Sequence, residues 1–367
     1  MTTIKYAPAV LDTAGWEFFN PRGATVNRSA RSLHVPVVRF SHSMAFLSQL
    51  RSFGAPTDRY LAMSKLPTLC EDPDYLIPVA RMYAFIDTAM RKEAPLLGWL
   101  VGESAGDQQF SIALRRKLET APSLLTALQS LVGLLNSESS DIDVGLRERR
   151  EDIVLYTRYA SMRGAPGYAV AQSYQISVFI SVVRLFLGKN WVPEEIGLEC
   201  QRTTRELPGE FHAGRFFPQS PFAYFTVPKS CLHHSLADVT PTKGTKPDAN
   251  SVLLRMDQLD DLELIRRLLR SYLADGYVSE KFAAELLGTS VRSLSRRLAG
   301  HGTTYKKVID GVRFQAAKEH LENPDMQVLD VAYAVGFNDP GDFTRMFRRV
   351  GGLTPSQFRR AMTQSPD

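Results

Sequence analysis

The sequence has few cysteines and no long apolar segment among its 367 residues. Its three cysteines, Cys70, Cys200 and Cys231, are odd in number and far apart, which argues against a disulfide framework and for a reducing compartment. The N-terminal segment lacks the apolar run of a signal peptide. The most apolar stretch, Tyr174–Leu187, is too short to span a bilayer and contains Arg184. We therefore expect a cytoplasmic protein without a membrane partner.

Common cofactor and metal motifs are also absent. The sequence contains no Walker A pattern, no G-x-G-x-x-G and no H-E-x-x-H. A structural zinc site usually needs two close pairs of ligands, and only Cys231 and His233 are near each other. The other residues considered for such a site are Cys200, His212 and His234. We therefore expect no metal and no cofactor.

One short pattern is compatible with an enzyme. Gly102–Gly106 reads GESAG and fits the G-x-S-x-G nucleophile elbow, with Ser104 as nucleophile and a downstream histidine as base. The elbow requires strands and helices that alternate along the chain, as in a parallel sheet, and the sequence on either side of GESAG does not show that alternation. We expect no catalytic residue, and a serine hydrolase is kept as an alternative.

The net charge of +5 is concentrated near the C-terminus. Residues 278–361 contain 13 basic and 9 acidic side chains, whereas the rest of the chain contains 31 and 30. A local basic excess of this kind is a mild indication of nucleic acid as a partner.

The chain divides at 237–250, where proline, glycine and threonine replace large apolar residues, as in an interdomain linker. Residues 1–236 mix both periodicities and predict an α+β domain. Within it, Pro122–Asn136 has leucines at helical spacing, Asp152–Tyr159 and Phe222–Val227 resemble strands, and Ala169–Leu187 predicts a long buried helix. The leucine stripe indicates either core packing or a dimer interface.

Residues 251–367 predict only helices, which are too short to be stable alone and must share a core. The expected helices are Leu253–Leu273, Ser279–Leu287, Ser290–Ala299, Thr304–Leu321, Val328–Val335, Pro340–Val350 and Pro355–Arg360.

A pattern within this part occurs twice, 48 residues apart. Ala284 and Gly288 recur as Ala332 and Gly336, each pair followed by a large apolar residue. In a helix-turn-helix a small residue lies where the helices approach, and a glycine with positive φ ends the first helix. Ser290 precedes the second helix of the first unit as an N-cap. In the second unit Asp339 occupies that place and Pro340 follows it.

These segments resemble the DNA-binding domain of AraC/XylS-family transcription regulators. Gly288–Leu298 and Gly302–Tyr305 are similar to its first half, and Val328–Arg349 with Gly352–Arg359 to its second. The length of the preceding domain and Trp191–Pro193 resemble the branch with an arabinose-binding-like N-terminal domain. The expected architecture is thus an α+β effector or dimerisation domain followed by an all-α domain with two helix-turn-helix motifs joined by a linker helix.

The resemblance implies a sequence-specific transcription regulator, more often an activator than a repressor. Two recognition helices would enter successive major grooves of promoter DNA. The N-terminal domain would bind an unknown small-molecule effector, form a homodimer, or both, and RNA polymerase would be a partner. In the cell such a protein would associate with the nucleoid.

The recognition helices supply the candidate DNA contacts. Side chains expected to read bases are Arg292, Ser295, Arg296, Asp342, Thr344 and Arg345. Those expected to contact phosphates are Arg297, Thr303, Lys306, Lys307, Arg348 and Arg349. Asp342 has a second interpretation, in which it caps its helix or holds Arg345 in place.

Two alternatives stay open from sequence. The C-terminal domain is also compatible with an architectural protein that binds DNA without sequence preference. The effector site is not assigned, because aromatic residues of the first domain are equally suited to a pocket or to the core. These residues are Phe179, Phe186, Trp191, Phe216, Phe217, Tyr224 and Phe225.

Overall fold

The computed structural model describes residues 35–70, 72–105, 110–159, 161–200, 207–236, 256, 259–276 and 278–363. The expected linker, 237–250, lies outside these ranges, as does Gly106 of the GESAG pattern. The helices before position 237 are α1 (Phe40–Ser52), α2 (Thr57–Ser64), α3 (Val79–Lys92), α4 (Leu97–Ala105), α5 (Ile112–Glu119), α6 (Leu124–Leu134) and α7 (Tyr168–Leu187). The strands are β1 (Val37–Arg39), β2 (Leu76–Pro78), β3 (Ile142–Glu148), β4 (Asp152–Tyr159), β5 (Glu195–Gly197), β6 (Arg215–Phe217) and β7 (Ala223–Pro228).

The strands form two sheets. Strands β1 and β2 make a two-stranded antiparallel ribbon in which Val38 lies opposite Ile77. The larger sheet has the order β3-β4-β7-β5-β6, and its pairs are antiparallel except for the parallel pair β5–β6. The expected α+β class is confirmed. Most helices of this domain precede the larger sheet in the chain, and the ribbon β1–β2 is formed by early strands.

Helix α6 confirms the leucine stripe as core. Leu124, Leu128 and Leu131 are fully buried. Ser123 caps the helix by accepting a hydrogen bond from the Thr126 amide at 3.3 Å. The stripe is therefore used inside the domain, and the described structure gives it no role in a dimer.

Helix α7 is 20 residues long, and Gly188 ends it with a φ of 89°. By length and hydropathy alone this one helix is able to cross a membrane, and 78% of its most apolar window is buried inside the protein. It confirms the long buried helix expected over Ala169–Leu187 to within one residue, and the polar side chains Gln172, Ser173 and Gln175 are buried within it as well. Helix α7 is thus the central core helix of the N-terminal domain.

Helix α4 packs closely on α7 through two glycines one turn apart. A Cβ on Gly102 would lie 2.5 Å from Ser177 Cβ and 2.6 Å from the Tyr174 carbonyl oxygen. A Cβ on Gly98 would collide with Ser173 and the Val170 carbonyl. Only glycine permits this approach of the two backbones.

After position 256 the residues that the structure describes form helices and no strand. These helices are α8 (Asp261–Arg270), α9 (Glu280–Leu286), α10 (Val291–Gly300), α11 (Tyr305–Glu322), α12 (Val328–Ala334), α13 (Pro340–Gly351) and α14 (Pro355–Thr363). Six of the seven agree with the sequence to within a few residues. The exception is α8, for which Leu253–Leu273 is expected, and positions 253–255 and 257–258 of that prediction lie outside the described residues. It begins at Asp261, because the Asp260 side chain accepts a hydrogen bond from the Glu263 amide at 2.7 Å and caps the helix.

The ribbon lies between two hydrophobic cores. Val38 and Ile77 belong to the core of the N-terminal domain, whereas Val37 and Leu76 belong to that of the helical domain. Because neighbouring residues of a strand point to opposite faces, one thin ribbon contributes to both cores. The Ser271 hydroxyl of α8's C-terminus donates to the Leu76 carbonyl at 2.7 Å.

Polar contacts reinforce this junction. The Asp275 carboxylate accepts hydrogen bonds from the Thr68 and Leu69 amides, each at 2.9 Å. Glu285 on α9 forms ion pairs with Lys65 and Arg81. Hydrogen bonds from Lys65 and then Arg81 lower the pKa of the Glu285 carboxyl to about 2. The N-terminal domain therefore contacts the first helix-turn-helix unit directly.

Candidate nucleic-acid interface

The two repeated patterns form the predicted turns. Gly288 has a φ of 59° and Gly336 a φ of 81°, both in the left-handed region that favours glycine. Ala284 and Ala332 are buried where the two helices of each unit approach. The structure confirms helix pairs α9–α10 and α12–α13 as two helix-turn-helix units.

Caps fix where each second helix begins. The Ser290 side chain accepts a hydrogen bond from the Ser293 amide at 3.2 Å at the start of α10. Asp339 accepts from the Asp342 amide at 2.8 Å at the start of α13, and Pro340 follows within the first turn. The sequence signals for these two helix starts are confirmed.

The first recognition helix, α10, presents basic side chains on one face. Leu294 and Leu298 are fully buried beneath it. Arg292 and Arg296, four residues apart, are exposed, and neither has an ion pair among the residues that the structure describes. Ser295, also exposed, donates a hydrogen bond to the Glu280 carboxylate at 2.6 Å. Two guanidinium groups, one helical turn apart on the outer face of α10, thus have no acidic partner in the described part of the chain.

The second recognition helix, α13, differs in its side-chain partners. Arg345 forms an ion pair with Asp342 one turn earlier, as the second interpretation of Asp342 requires. The Thr344 hydroxyl donates to the Pro340 carbonyl at 2.9 Å and is half-buried. The side chains of this helix that are expected to read bases are therefore bonded to one another or to their own helix.

The side chains expected to contact phosphates fall into two groups, those that lie near an acidic side chain among the described residues and those that do not. Arg297 is half-buried and pairs with Asp261 of α8 at 3.2 Å. Arg349 pairs with Asp310 at 2.6 Å, and Lys306 lies 3.8 Å from the same carboxylate. Lys307 and Arg348 are exposed, without an ion pair within the described ranges, and Thr303 is half-buried.

Helix α11 connects the units and is bonded to both. With 18 residues it is about 27 Å long at 1.5 Å per residue. Near its start the Tyr305 hydroxyl donates to the Val278 carbonyl at 2.6 Å. Further along, Arg313 donates to the Gly336 carbonyl at 3.3 Å and lies over the Phe337 ring, 4.6 Å from its centroid. These contacts hold the start of the first unit and the turn of the second unit on one helix.

Sequence reasoning missed several contributors to this surface. Val291 is 39% exposed in the first turn of α10, one turn before Ser295, where an apolar side chain can contact a thymine methyl group. Its place just after the N-cap is a signal that could have found it. Asp261, Glu280 and Asp310 hold candidate DNA contacts in the free protein, and nothing local in the sequence marks these pairings.

Ser104 does not form a nucleophile elbow. It lies within α4, and its hydroxyl donates to the Val101 carbonyl of the same helix at 3.3 Å. An elbow needs a sharp turn between a strand and a helix. Gly102 of the same pattern is explained by its close packing on α7. Among the described residues, no three His, Cys, Asp or Glu side chains form a group that could hold a metal ion.

Two capped helix-turn-helix units on one connecting helix define the class: a double helix-turn-helix protein with an α+β domain before it. Residues 283–361 match the model of a helix-turn-helix domain. Residues 54–236 match the model of the N-terminal arabinose-binding domain of AraC transcription regulators. The chain belongs to the AraC family of transcription regulators, in the branch with this N-terminal domain.

Curated relatives share part of the chain. The ornithine utilization regulator of Pseudomonas aeruginosa is 33% identical over 39% of this chain and 43% of its own length. The transcriptional activator RhaS of Enterobacter sp. is 26% identical over 39% of this chain and 59% of its own. The chain thus covers less than two thirds of either relative. The crystal structure of the regulator CdpR from Pseudomonas aeruginosa aligns with 83% of this chain and 96% of its own, at 21% identity and a TM-score of 0.37.

Proposed function

We propose that the protein is a sequence-specific DNA-binding transcription activator that responds to a small-molecule effector. The observation that carries the DNA-binding part is the face of α10, where Arg292 and Arg296 are exposed without an acidic partner in the described structure. Arginine can pair bidentately with guanine in the major groove, which is the commonest specific contact. Family membership supports the same function.

We infer a division of labour between the two recognition helices. On α10 the arginines are available to bases at once. On α13, Arg345 must first leave Asp342 or read a base while remaining beside it. Since an ion pair between exposed groups contributes little, that exchange costs less than one good base contact contributes. Both helices then read DNA, and α10 contributes more of the discrimination.

The remaining parts of the proposal concern partners. The activating role is supported by the transcriptional activators among the relatives, NphR of Rhodococcus sp. and RhaS. Contact with RNA polymerase is part of the proposal, because an activator acts on that enzyme. A homodimer formed through residues 1–236 and a cytoplasmic, nucleoid-associated location follow the common behaviour of such regulators. We also propose that the protein is not an enzyme, and the helical position of Ser104 supports this.

Selection of genomic fragments by the purified full-length protein at near-physiological salt tests the proposal. We expect enrichment of a motif with two blocks about one helical turn apart. Arg296→Ala should weaken one block and Arg345→Ala the other. Arg266→Ala is a matched control, because Arg266 is exposed on α8 and belongs to neither recognition helix. Enrichment without any shared motif would overturn the proposal in favour of an architectural protein.

A different assay tests the alternative that the protein is a serine hydrolase. If Ser104 were a nucleophile, the wild-type protein would turn over activated esters and Ser104→Ala would abolish the turnover. We expect no turnover by either protein. Activity lost in the variant would refute our assignment.

A further inference from the structure

The N-terminal domain contains an internal cavity that the DNA-binding function does not use. It lies between α1, α3, α7 and the start of β3, with a volume of about 50 Å³. Most of its lining is apolar and includes Phe46, Met82 and Ile86, all nearly fully buried. None of the seven aromatic residues considered from sequence lines it. The volume suits a molecule of a few heavy atoms, and the flexible Met82 side chain can adapt to its shape.

Three polar atoms in the lining lack partners. His42 Nε2, Tyr83 Oη and Gln175 Nε2 have no hydrogen-bond partner within the part of the chain that the structure describes. Each of these residues is less than 9% exposed. A buried polar group without a partner costs roughly 1–3 kcal/mol, so a ligand that satisfies these atoms gains affinity from them. The cavity thus combines an apolar body with a small polar region.

The charges around the cavity favour an uncharged ligand. Among the described lining residues none is a lysine or an arginine. Burial, and then the charge of Arg39, lower the pKa of His42 to about 3, so its imidazole is neutral at neutral pH. The one carboxylate, Glu138, already accepts from the Ser111 amide at 3.1 Å and lies 3.5 Å from Arg39 Nε. Neither an anion nor a cation would find a free counter-charge.

The polar atoms of the lining also indicate that the ligand carries a hydroxyl group. The His42 Nδ1 atom and the Tyr174 hydroxyl form a hydrogen bond of 2.8 Å. Nδ1 donates this bond when it is protonated and accepts it from the hydroxyl when it is not. His42 Nε2 is therefore a donor in one tautomer and an acceptor in the other. A hydroxyl both donates and accepts, so it pairs with His42 in either tautomer and with Tyr83 or Gln175 as well.

The ribbon β1–β2 connects this cavity to the helical domain. Val38 of β1 and Val79, which directly follows β2, line the cavity, and their chain neighbours Val37 and Pro78 are paired in the ribbon. Val37 and Leu76 pack in the core of the helical domain on the other side. Because protein interiors are close-packed, a displacement of Val38 also displaces Val37 and the residues that pack on it.

We propose that this cavity is the effector site, that its ligand is a small uncharged alcohol, and that the β1–β2 ribbon transmits binding to the DNA-binding domain. The assignment rests on the proposed role of the N-terminal domain as an effector sensor. The ligand is mainly apolar and carries its hydroxyl towards His42 and Tyr83.

Methyl NMR of the full-length protein labelled at methionine tests the site directly. Isobutanol is the probe, and isobutyrate and isobutylammonium are charged controls of similar size. We expect isobutanol to shift the Met82 methyl signal saturably and to leave that of the exposed Met63 in place. Both charged molecules should leave Met82 unchanged. Equal shifts with all three, or none with isobutanol, would overturn the assignment.

Variants locate the binding. Ala171→Leu places a larger side chain in the lining and should abolish the Met82 shift. Tyr83→Phe keeps the ring and removes one hydroxyl, so isobutanol should bind about three- to tenfold more weakly. Tyr224→Phe removes a buried hydroxyl elsewhere in the domain and should leave binding unchanged. Equal weakening by both tyrosine variants would contradict a local hydrogen bond and hence the site.

A second readout separates this inference from the proposed function. DNA affinity is measured for the selected fragments with and without saturating isobutanol. A changed affinity, absent in Ala171→Leu, supports transmission through the ribbon. A Met82 shift with unchanged DNA affinity would overturn transmission. Sequence-specific DNA binding without any Met82 shift would overturn the cavity assignment and leave the proposed function standing.

Discussion

Replacing Gly336 by alanine is expected to destabilise the helical domain far more than the equivalent change at Gly288. Both glycines end the first helix of their unit with positive φ, so alanine carries a backbone cost of about 1–2 kcal/mol at either position. At Gly288 a new Cβ meets nothing within 4 Å. At Gly336 it would lie 2.5 Å from the Gly276 carbonyl oxygen and 2.7 Å from that of Leu273.

The difference can be estimated from these contacts. Backbone carbonyls cannot move aside as a flexible side chain can, and overpacking of this kind costs about 1–3 kcal/mol more. We therefore expect a loss of about 1–2 kcal/mol for Gly288→Ala and about 2–5 kcal/mol for Gly336→Ala. The Gly336 turn is the point where the second unit touches the segment before the first.

Hydrogen exchange in increasing urea, followed by mass spectrometry of peptides from α9 to α13, measures this difference locally. Local readout is needed because a two-domain chain has no single free energy of unfolding. Equal losses for the two variants would refute the inference that Gly336 is held by close backbone contact. Gly288→Asn is a useful control, since asparagine tolerates positive φ better than alanine.

Other predictions follow from single contacts. Arg292→Ala should reduce the binding free energy for the preferred site by about 1–3 kcal/mol and relax specificity at one base pair. Lys307→Ala should weaken binding to all sequences alike and reduce the slope of log affinity against log salt concentration by about 1. Both are measured by DNA titration across salt concentrations. His42 stays neutral in the folded protein, whereas the unfolded chain gains a proton below about pH 6.5. The free energy of unfolding of the N-terminal domain should therefore fall as the pH is lowered from 6.5 towards 3, by about 1.4 kcal/mol per unit. His42→Gln should remove that contribution, as measured by hydrogen exchange of N-terminal-domain peptides in increasing urea at pH 7 and pH 5, and an unchanged pH dependence would contradict it. Gly102→Ala should cost about 1–3 kcal/mol through its contact with α7, whereas Ser104→Ala should change stability by less than about 0.5 kcal/mol in the same urea assay.

The helical domain was predictable because its signals are local. Ser279, Ser290, Thr304 and Asp339 each cap the helix that the sequence places after them. Positive φ at the two repeated glycines also follows from spacing alone. The predicted start of α8 was too early. The apolar residues before Asp260 continue the helical spacing in the sequence, whereas the Asp260 cap sets the first residue of the helix at Asp261.

The candidate sites were less predictable because their geometry is not local. The pairing of Arg297 with Asp261 joins residues 36 positions apart, and that of His42 with Tyr174 joins residues 132 apart. Three-residue strands such as β1 carry almost no periodicity. The cavity appears only when α1, α3 and α7 are assembled, so no motif marks it.

The ratio of specific to non-specific DNA affinity tests the central claim most directly. It is measured for the full-length protein on its best selected fragment and on a shuffled fragment of equal composition, at one fixed near-physiological salt concentration. A sequence-specific regulator should bind the selected fragment about 10³-fold or more tightly, and Arg296→Ala should reduce that ratio by tenfold or more. Equal affinity for both fragments, unchanged in the variant, would contradict the account.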